Sequence, residues 1–181
     1  MRKIIICVLM LATPSLTVSA QEWKLVWSDE FDGKTLNYQQ WEVEVNAFGG
    51  GNQELQIYTD RSENVRVNDG HLVLEAHHDN HGIAGTVREY SSGRVRSKHR
   101  GDWKYGKFEI RAKLPKGQGL WPAIWMLPTD NAYGTWASSG EIDIMEYKGQ
   151  ERMALSTGIL RFCDRELPRP RSVEERDPSR S

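Results

Sequence analysis

Three carboxylates fall within six residues in the stretch Gly140-Glu141-Ile142-Asp143-Ile144-Met145-Glu146-Tyr147, threaded through apolar side chains. Hydrolysis of an acetal asks for such groups. One carboxyl donates a proton to the leaving oxygen while another, ionised, attacks the anomeric carbon or activates water. Two carboxyls held close resist ionising together, so one can keep its proton near neutral pH, and a third between them can share it. Direct attack by the protein's carboxylate requires a separation of about 5 to 5.5 Å, whereas about 6.5 to 9.5 Å leaves room for an inverting water. Two plainer readings stand beside this one. The acids could form a solvated strand face, or they could bind calcium, although such sites gather about six to eight oxygens and draw them mostly from loops.

The element that carries the acids must bring them to one side. In a regular strand Glu141 and Asp143 share a face, and Glu146, five positions after Glu141, points the other way. The apolar residues change parity at the same place, from Ile142 and Ile144 to Met145 and Tyr147. One extra residue, a β-bulge near Ile144-Met145, corrects both patterns and returns Glu146 to the face of Glu141 and Asp143. Upstream, Leu120-Trp121-Pro122-Ala123-Ile124-Trp125-Met126-Leu127-Pro128 places two Trp four apart, which share a face in a strand, and the prolines argue against a helix. Trp136 lies five residues before Glu141. Core packing is the ordinary role of any single Trp. Three of them flanking the acids point to at least one stacking on a sugar ring.

The remaining segments read as strands. Trp23 to Asp32 mixes aromatic and β-branched residues before a turn, and Trp41-Glu-Val-Glu-Val45 alternates cleanly towards Asn46. Gln53 to Tyr58 sets Glu54, Gln56 and Tyr58 on one parity, a polar face suited to lining a groove. Val65 to Val67, Asn68-Asp69-Gly70 and Leu72 to Ala76 form a hairpin. His77, His78 and His81 stand among Asp79, Asn80 and Gly82, which reads as an exposed loop rather than zinc ligands. Arg94, Arg96 and Lys98 occupy alternate positions, as a solvated strand face or as an Arg reaching towards the carboxylates. Gly106 to Leu114 alternates apolar and charged residues until Pro115, the pattern of a half-buried antiparallel strand. Gly49-Gly50-Gly51 is followed by no Gly-Lys-Ser/Thr and no helix start, which excludes a phosphate loop. With no amphipathic helix from Glu22 to Gly158, the fold class is an all-β sandwich.

The chain of 181 residues opens Met1-Arg2-Lys3, an apolar run from Ile4 to Ala12, and small residues to Val18-Ser19-Ala20. Residues 1–20 read as a secretory signal peptide, too short and too interrupted by Pro14, Ser15 and Thr17 to span a membrane. Removing Arg2 and Lys3 from 24 basic residues against 25 acidic leaves a slightly acidic protein, which does not favour nucleic acid. Cys7 leaves with the leader and Cys163 remains alone, so no internal disulfide is expected. Seven Trp and six Tyr in an exported, weakly charged chain fit a polysaccharide partner. An extracellular or periplasmic monomer follows, without membrane association after cleavage.

An ordered series of motifs resembles glycoside hydrolase family 16, and within it the laminarinase-like endo-β-1,3-glucanases. The series comprises Trp27-Ser-Asp-Glu-Phe31, Gly51-Asn-Gln-Glu54 with Tyr58-Thr-Asp60, Asp69-Gly70-His-Leu72, Ser92-Gly93-Arg94, Tyr105-Gly-Lys-Phe-Glu109 with Arg111-Ala-Lys-Leu-Pro115, Gly119-Leu-Trp-Pro-Ala123 with Trp125-Met-Leu-Pro128, and Ser139-Gly-Glu-Ile-Asp-Ile-Met-Glu146. The resemblance implies a β-jelly-roll sandwich of the concanavalin-like kind with a cleft on its concave face. It implies retaining cleavage of internal bonds in β-1,3-glucan, with Glu141 as nucleophile, Glu146 as acid/base and Asp143 as assisting carboxylate. Sugar contacts are implied for Asn46, Arg94, Trp121, Trp125 and Trp136. No cofactor is required; some members hold a structural calcium ion, which cannot be assigned to residues here. Mixed-linkage glucan or marine galactans are the alternative substrates, and a glycan-binding sandwich or inactive fragment the alternative function. After Gly158 the pattern departs. Arg161 to Ser181 carries six Arg, three Pro and five acidic residues with few apolar ones. The expected organisation is a signal peptide (1–20), a partial jelly-roll domain (21–158), and a disordered tail (159–181), out of frame from about Ser156 to Ile159.

Overall fold

The computed structural model describes residues 23–150 and the backbone of three short strands beyond them. The expected signal peptide lies outside the described residues. So does the expected disordered tail, apart from two of those strands.

Among the described residues fourteen strands follow one another in chain order, joined by turns and a 3-10 turn at Gly49–Gly51. They are β1 (Lys24–Leu25), β2 (Glu42–Val43), β3 (Gln56–Tyr58), β4 (Val65–Asn68), β5 (His71–Leu74), β6 (His77–Ile83), β7 (Thr86–Ser92), β8 (Val95–Arg96), β9 (Ile110–Ala112), β10 (Ala123–Met126), β11 (Ile142–Glu146), β12 (Leu155–Ser156), β13 (Leu160–Phe162) and β14 (Glu174–Glu175). No α-helix is present among the described residues, and none is long and apolar enough to cross a membrane. The strands pair as β1-β14, β10-β11-β12, β13-β9, β2-β8, β3-β7-β6 and β4-β5.

The Asp69-Gly70 turn has positive φ at both residues, 49° and 71°, which matches the twist of the β4-β5 hairpin. Two expectations are corrected. His77 to Gly82 is strand β6 rather than an exposed loop; it pairs with β7, and the His78 ring stacks on Tyr90 at 4.8 Å. Pairing with a neighbour outweighs the turn-like composition of this segment. The alternating stretch 106–114 forms regular strand only at β9, whose partner is β13 in parallel, not an antiparallel neighbour.

Three Trp serve packing. Trp27 meets Trp41 and Trp103 edge to face at 5.2 and 5.3 Å, and Trp103 meets Phe108 at 5.6 Å. This cluster ties the first described segment to the approach to β9. A polar knot does the same around β7. Asn64 is fully buried, accepts from Arg61 Nη2 at 2.9 Å, and donates to Ser91 Oγ and the Glu75 carbonyl at 3.0 Å each. Arg61 closes the knot by pairing with Asp79 on β6.

Candidate active site

Strand β11 carries the acids, and its register settles their side. Met126 faces Ile142 and Trp125 faces Asp143, but Ile124 faces Met145 and Ala123 faces Glu146. Ile144 is therefore the extra residue, inserted opposite the Ile124/Trp125 step, where the two parity changes in the sequence place it. Cross-strand partners share a face, and Ala123 and Trp125 are two residues apart, so Asp143 and Glu146 lie on one side of the sheet. Glu141, two residues before Asp143, continues that side at the strand's edge. The bulge lets Ile144 and Met145 both turn inward, at 7% and 1% exposure.

The partner strand supplies the aromatic residues. The ladder continues past β10, with Tyr147 N donating to the Pro122 carbonyl at 3.2 Å and Gly149 N to the Leu120 carbonyl at 2.8 Å. That extension holds Trp121 on the same side as Ala123 and Trp125. Trp121 Nε1 donates to Glu146 Oε1 at 3.2 Å, and Trp136, from the preceding loop, donates Nε1–H to Glu141 Oε2 at 2.5 Å. The three Trp flanking the acids thus gather around them, apart from the packing cluster.

Arg94 lies beyond Trp125. Its guanidinium sits 4.6 Å from the Trp125 ring centre and 5.7 Å from that of Tyr58, and its Nε is 2.7 Å from Glu44 Oε2. The side chain turns to Glu44 instead of the β11 acids, and a cation over an aromatic face stabilises that arrangement. Arg96, on the same alternation, bridges Glu42 at 2.9 Å and Glu44 at 2.6 Å. Its guanidinium, hydrogen-bonded to Glu42, holds that carboxyl below the usual range, against a smaller opposing effect of burial. Asn46 is joined to Tyr58 through backbone bonds at 2.8 and 3.2 Å, and its Oδ1 is buried without a partner among the described residues.

The polar face of β3 continues this wall. Gln56 Nε2 donates to Glu54 Oε2 at 2.5 Å and to Tyr58 Oη at 2.9 Å, while Tyr58 Oη donates to Glu54 Oε2 at 3.0 Å. Burial, then the Glu54 charge, raises the Tyr58 hydroxyl above its ordinary value, so it remains a donor. Glycine suits position 50: φ is 59°, and a Cβ would displace the Glu54 carboxylate from its bonds to Gln56 and Tyr58. Of the five expected sugar-contact residues, Trp121, Trp125 and Trp136 lie beside the acids, Arg94 lies against Trp125, and Asn46 is bridged through its backbone to Tyr58. Glu44 is the residue that sequence reading missed; the alternation of Trp41 to Val45 already set it on the parity of Glu42 and Asn46.

A hollow of about 200 Å³ lined by Leu55, Val87, Arg88, Glu89 and Tyr90 includes none of Glu141, Asp143 and Glu146. Among the described residues no three His, Cys, Asp or Glu side chains gather as a cation site.

A beta-glucanase of Rhodothermus marinus is 51% identical over 134 residues, 72% of this chain and 46% of that protein. The glucan endo-1,3-beta-glucosidase A1 of Niallia circulans is 45% identical over 149 residues, 76% of this chain and 22% of that protein. The solved catalytic domain of an endo-1,3-beta-glucanase (laminarinase) from Thermotoga petrophila RKU-1 superposes with a TM-score of 0.68 at 42% identity, covering 73% of this chain and 54% of that one. The chain spans about half the length, or less, of these relatives. The paired strands are those of the expected all-β jelly-roll sandwich. With the pattern of the glycosyl hydrolases family 16 matching residues 52–161, the chain belongs to that family.

Proposed function

We propose that the protein is a secreted, endo-acting β-glucan hydrolase that cleaves laminarin-type β-1,3-glucan with retention of configuration. The observation that carries this reading is the bulged register of β11, which brings Asp143 and Glu146 to the side of the sheet lined by Trp121 and Trp125. Glu141 attacks the anomeric carbon while Glu146 passes its proton to the departing glycosidic oxygen. The carbon–oxygen bond to the leaving sugar breaks as an ester to Glu141 forms. Glu146, now a carboxylate, takes a proton from water, and that water displaces Glu141 from the carbon. Asp143, between them on the same side, assists as the third carboxylate. Asn46, Arg94, Trp121, Trp125 and Trp136 contact the glucan. The names of both curated relatives support a β-glucan substrate. The apolar leader supports action outside the cytoplasm. In this reading the hydrolase works as a monomer and needs no cofactor.

Replacing Glu141→Gln should lower release of reducing ends from laminarin more than about 10⁴-fold. Proton NMR of the first products should show the β anomer. Unchanged release by the variant removes Glu141 from the nucleophile role. Retention on immobilised laminarin without any product identifies a glycan-binding sandwich instead. Parallel incubations with mixed-linkage glucan, agar and carrageenan decide the substrate.

A further inference from the structure

The indole N–H groups of Trp136 and Trp121 end on two different acids, and the two bonds are unequal. Trp136 reaches Glu141 at 2.5 Å, Trp121 reaches Glu146 at 3.2 Å. Trp136 is 74% exposed and Trp121 49%, so neither ring is held in place by burial. An exposed indole N–H is ordinarily satisfied by water, and fixing the ring costs rotamer freedom. Here the backbone offsets that cost by bracing the loop. Gly134 N donates to the Asn131 carbonyl at 3.0 Å, Ser138 N to the Thr135 carbonyl at 2.8 Å, and Gly140 N to the Ala137 carbonyl at 2.9 Å. Ser139 Oγ accepts from Tyr133 N and donates to the Gly134 carbonyl, closing the loop across its neck. Trp136 sits inside these turns, five residues before the carboxylate it meets.

We propose that Trp136 and Trp121 are positioning residues for the two working carboxylates, each acting through its indole N–H, with Trp136 fixing the Glu141 carboxylate for attack. This rests on the hydrolase reading above. A donor held against a carboxylate restricts its rotation and fixes where its second oxygen points. The closer bond falls on the acid that attacks, whose aim towards the anomeric carbon must be set, and the longer one on the acid that faces the leaving oxygen. The bond uses only the ring edge, which leaves the Trp136 faces open to a sugar, so sugar stacking and carboxylate positioning coexist in one side chain.

Trp136→Phe separates the two roles, because it keeps a flat aromatic face and removes the donor. On laminarin the variant of the full chain should lose about 10²-fold in kcat, the scale of one preorganised donor. KM should stay within about threefold. A second readout does not need turnover: the Trp136 indole ¹⁵N–¹H resonance should move in Glu141→Gln and stay in Glu146→Gln, with the reverse for Trp121. Unchanged kcat with a raised KM makes Trp136 a stacking platform alone and overturns the proposal, as does an indole resonance indifferent to Glu141→Gln. Trapping the unmodified protein with a 2-deoxy-2-fluoro β-glucoside tests the hydrolase reading separately. A label on Glu141 upholds that reading whatever Trp136→Phe does. A protein that takes no label and releases no product loses the reading, and with it the catalytic consequence of the bond.

Discussion

Gly93 shows how sharply one residue can be constrained away from the chemistry. A Cβ there would collide with the Asn64 carbonyl and a Val65 methyl, so the chain between β7 and β8 passes flush against the polar knot. Gly93→Ala should cost about 1–3 kcal/mol by overpacking, measured by urea unfolding. Asn64→Ala should cost a similar amount by a different route, since it strips buried partners from Arg61, Ser91 and the Glu75 carbonyl. The knot is also sensitive to acid. The Arg61 guanidinium, more than the Ser91 hydroxyl, holds the Asp79 carboxyl below its ordinary value. A depressed folded value means that the stabilisation is complete above the unfolded value near pH 4 and is lost as pH falls through the folded value. Urea midpoints should therefore drop on going from about pH 5 to pH 3, and drop less in Asp79→Asn. Of these residues the sequence displayed only types. That Gly93 needs space rather than a positive φ, and that Asn64 is interior, follow from contacts across the chain.

At the scale of elements, β11 is a strand whose function depends on counting. Inserting one Ala between Met145 and Glu146 turns Glu146 to the opposite side, and laminarin hydrolysis should vanish. Deleting Ile144 removes the bulge and leaves Glu141, Asp143 and the second Glu at even spacing on one side. That variant should keep measurable turnover despite losing a buried side chain. Comparing reducing-end release by the two proteins checks the register argument itself, because both change the length by one residue. The bulge was legible because two independent patterns, acidic and apolar, changed parity together. Strand β6 was not legible, since His77, His78 and His81 pair with β7 residues 7 to 14 positions away and Asp79 is held by Ser91 and the distant Arg61.

Across the described residues the core is small. Leu36, Ile57, Val65, Ile144, Met145 and Tyr147 are the buried hydrophobic residues among those described, while Ile142, Leu55 and Val87 are 60%, 65% and 68% exposed. Apolar surface left in water contributes little to folding, at roughly 25 cal/mol per Å² forgone. The protein should bind a hydrophobic dye in its native state and lose solubility with rising concentration. Light scattering across a dilution series checks this, and a clear, dye-silent solution at high concentration contradicts it.

Sequence alone determined the acids, their period and the compensating bulge, because side-chain alternation along a strand is a local property of the backbone. It also determined the all-β class, since turn residues and alternation are likewise local. Tertiary structure decided which Trp pack together and which attend the acids, that Arg94 turns to Glu44 and Trp125, and that two indole N–H groups end on Glu141 and Glu146. Those depend on which strands pair and in what register. Contacts between distant segments are not written in the spacing of either segment.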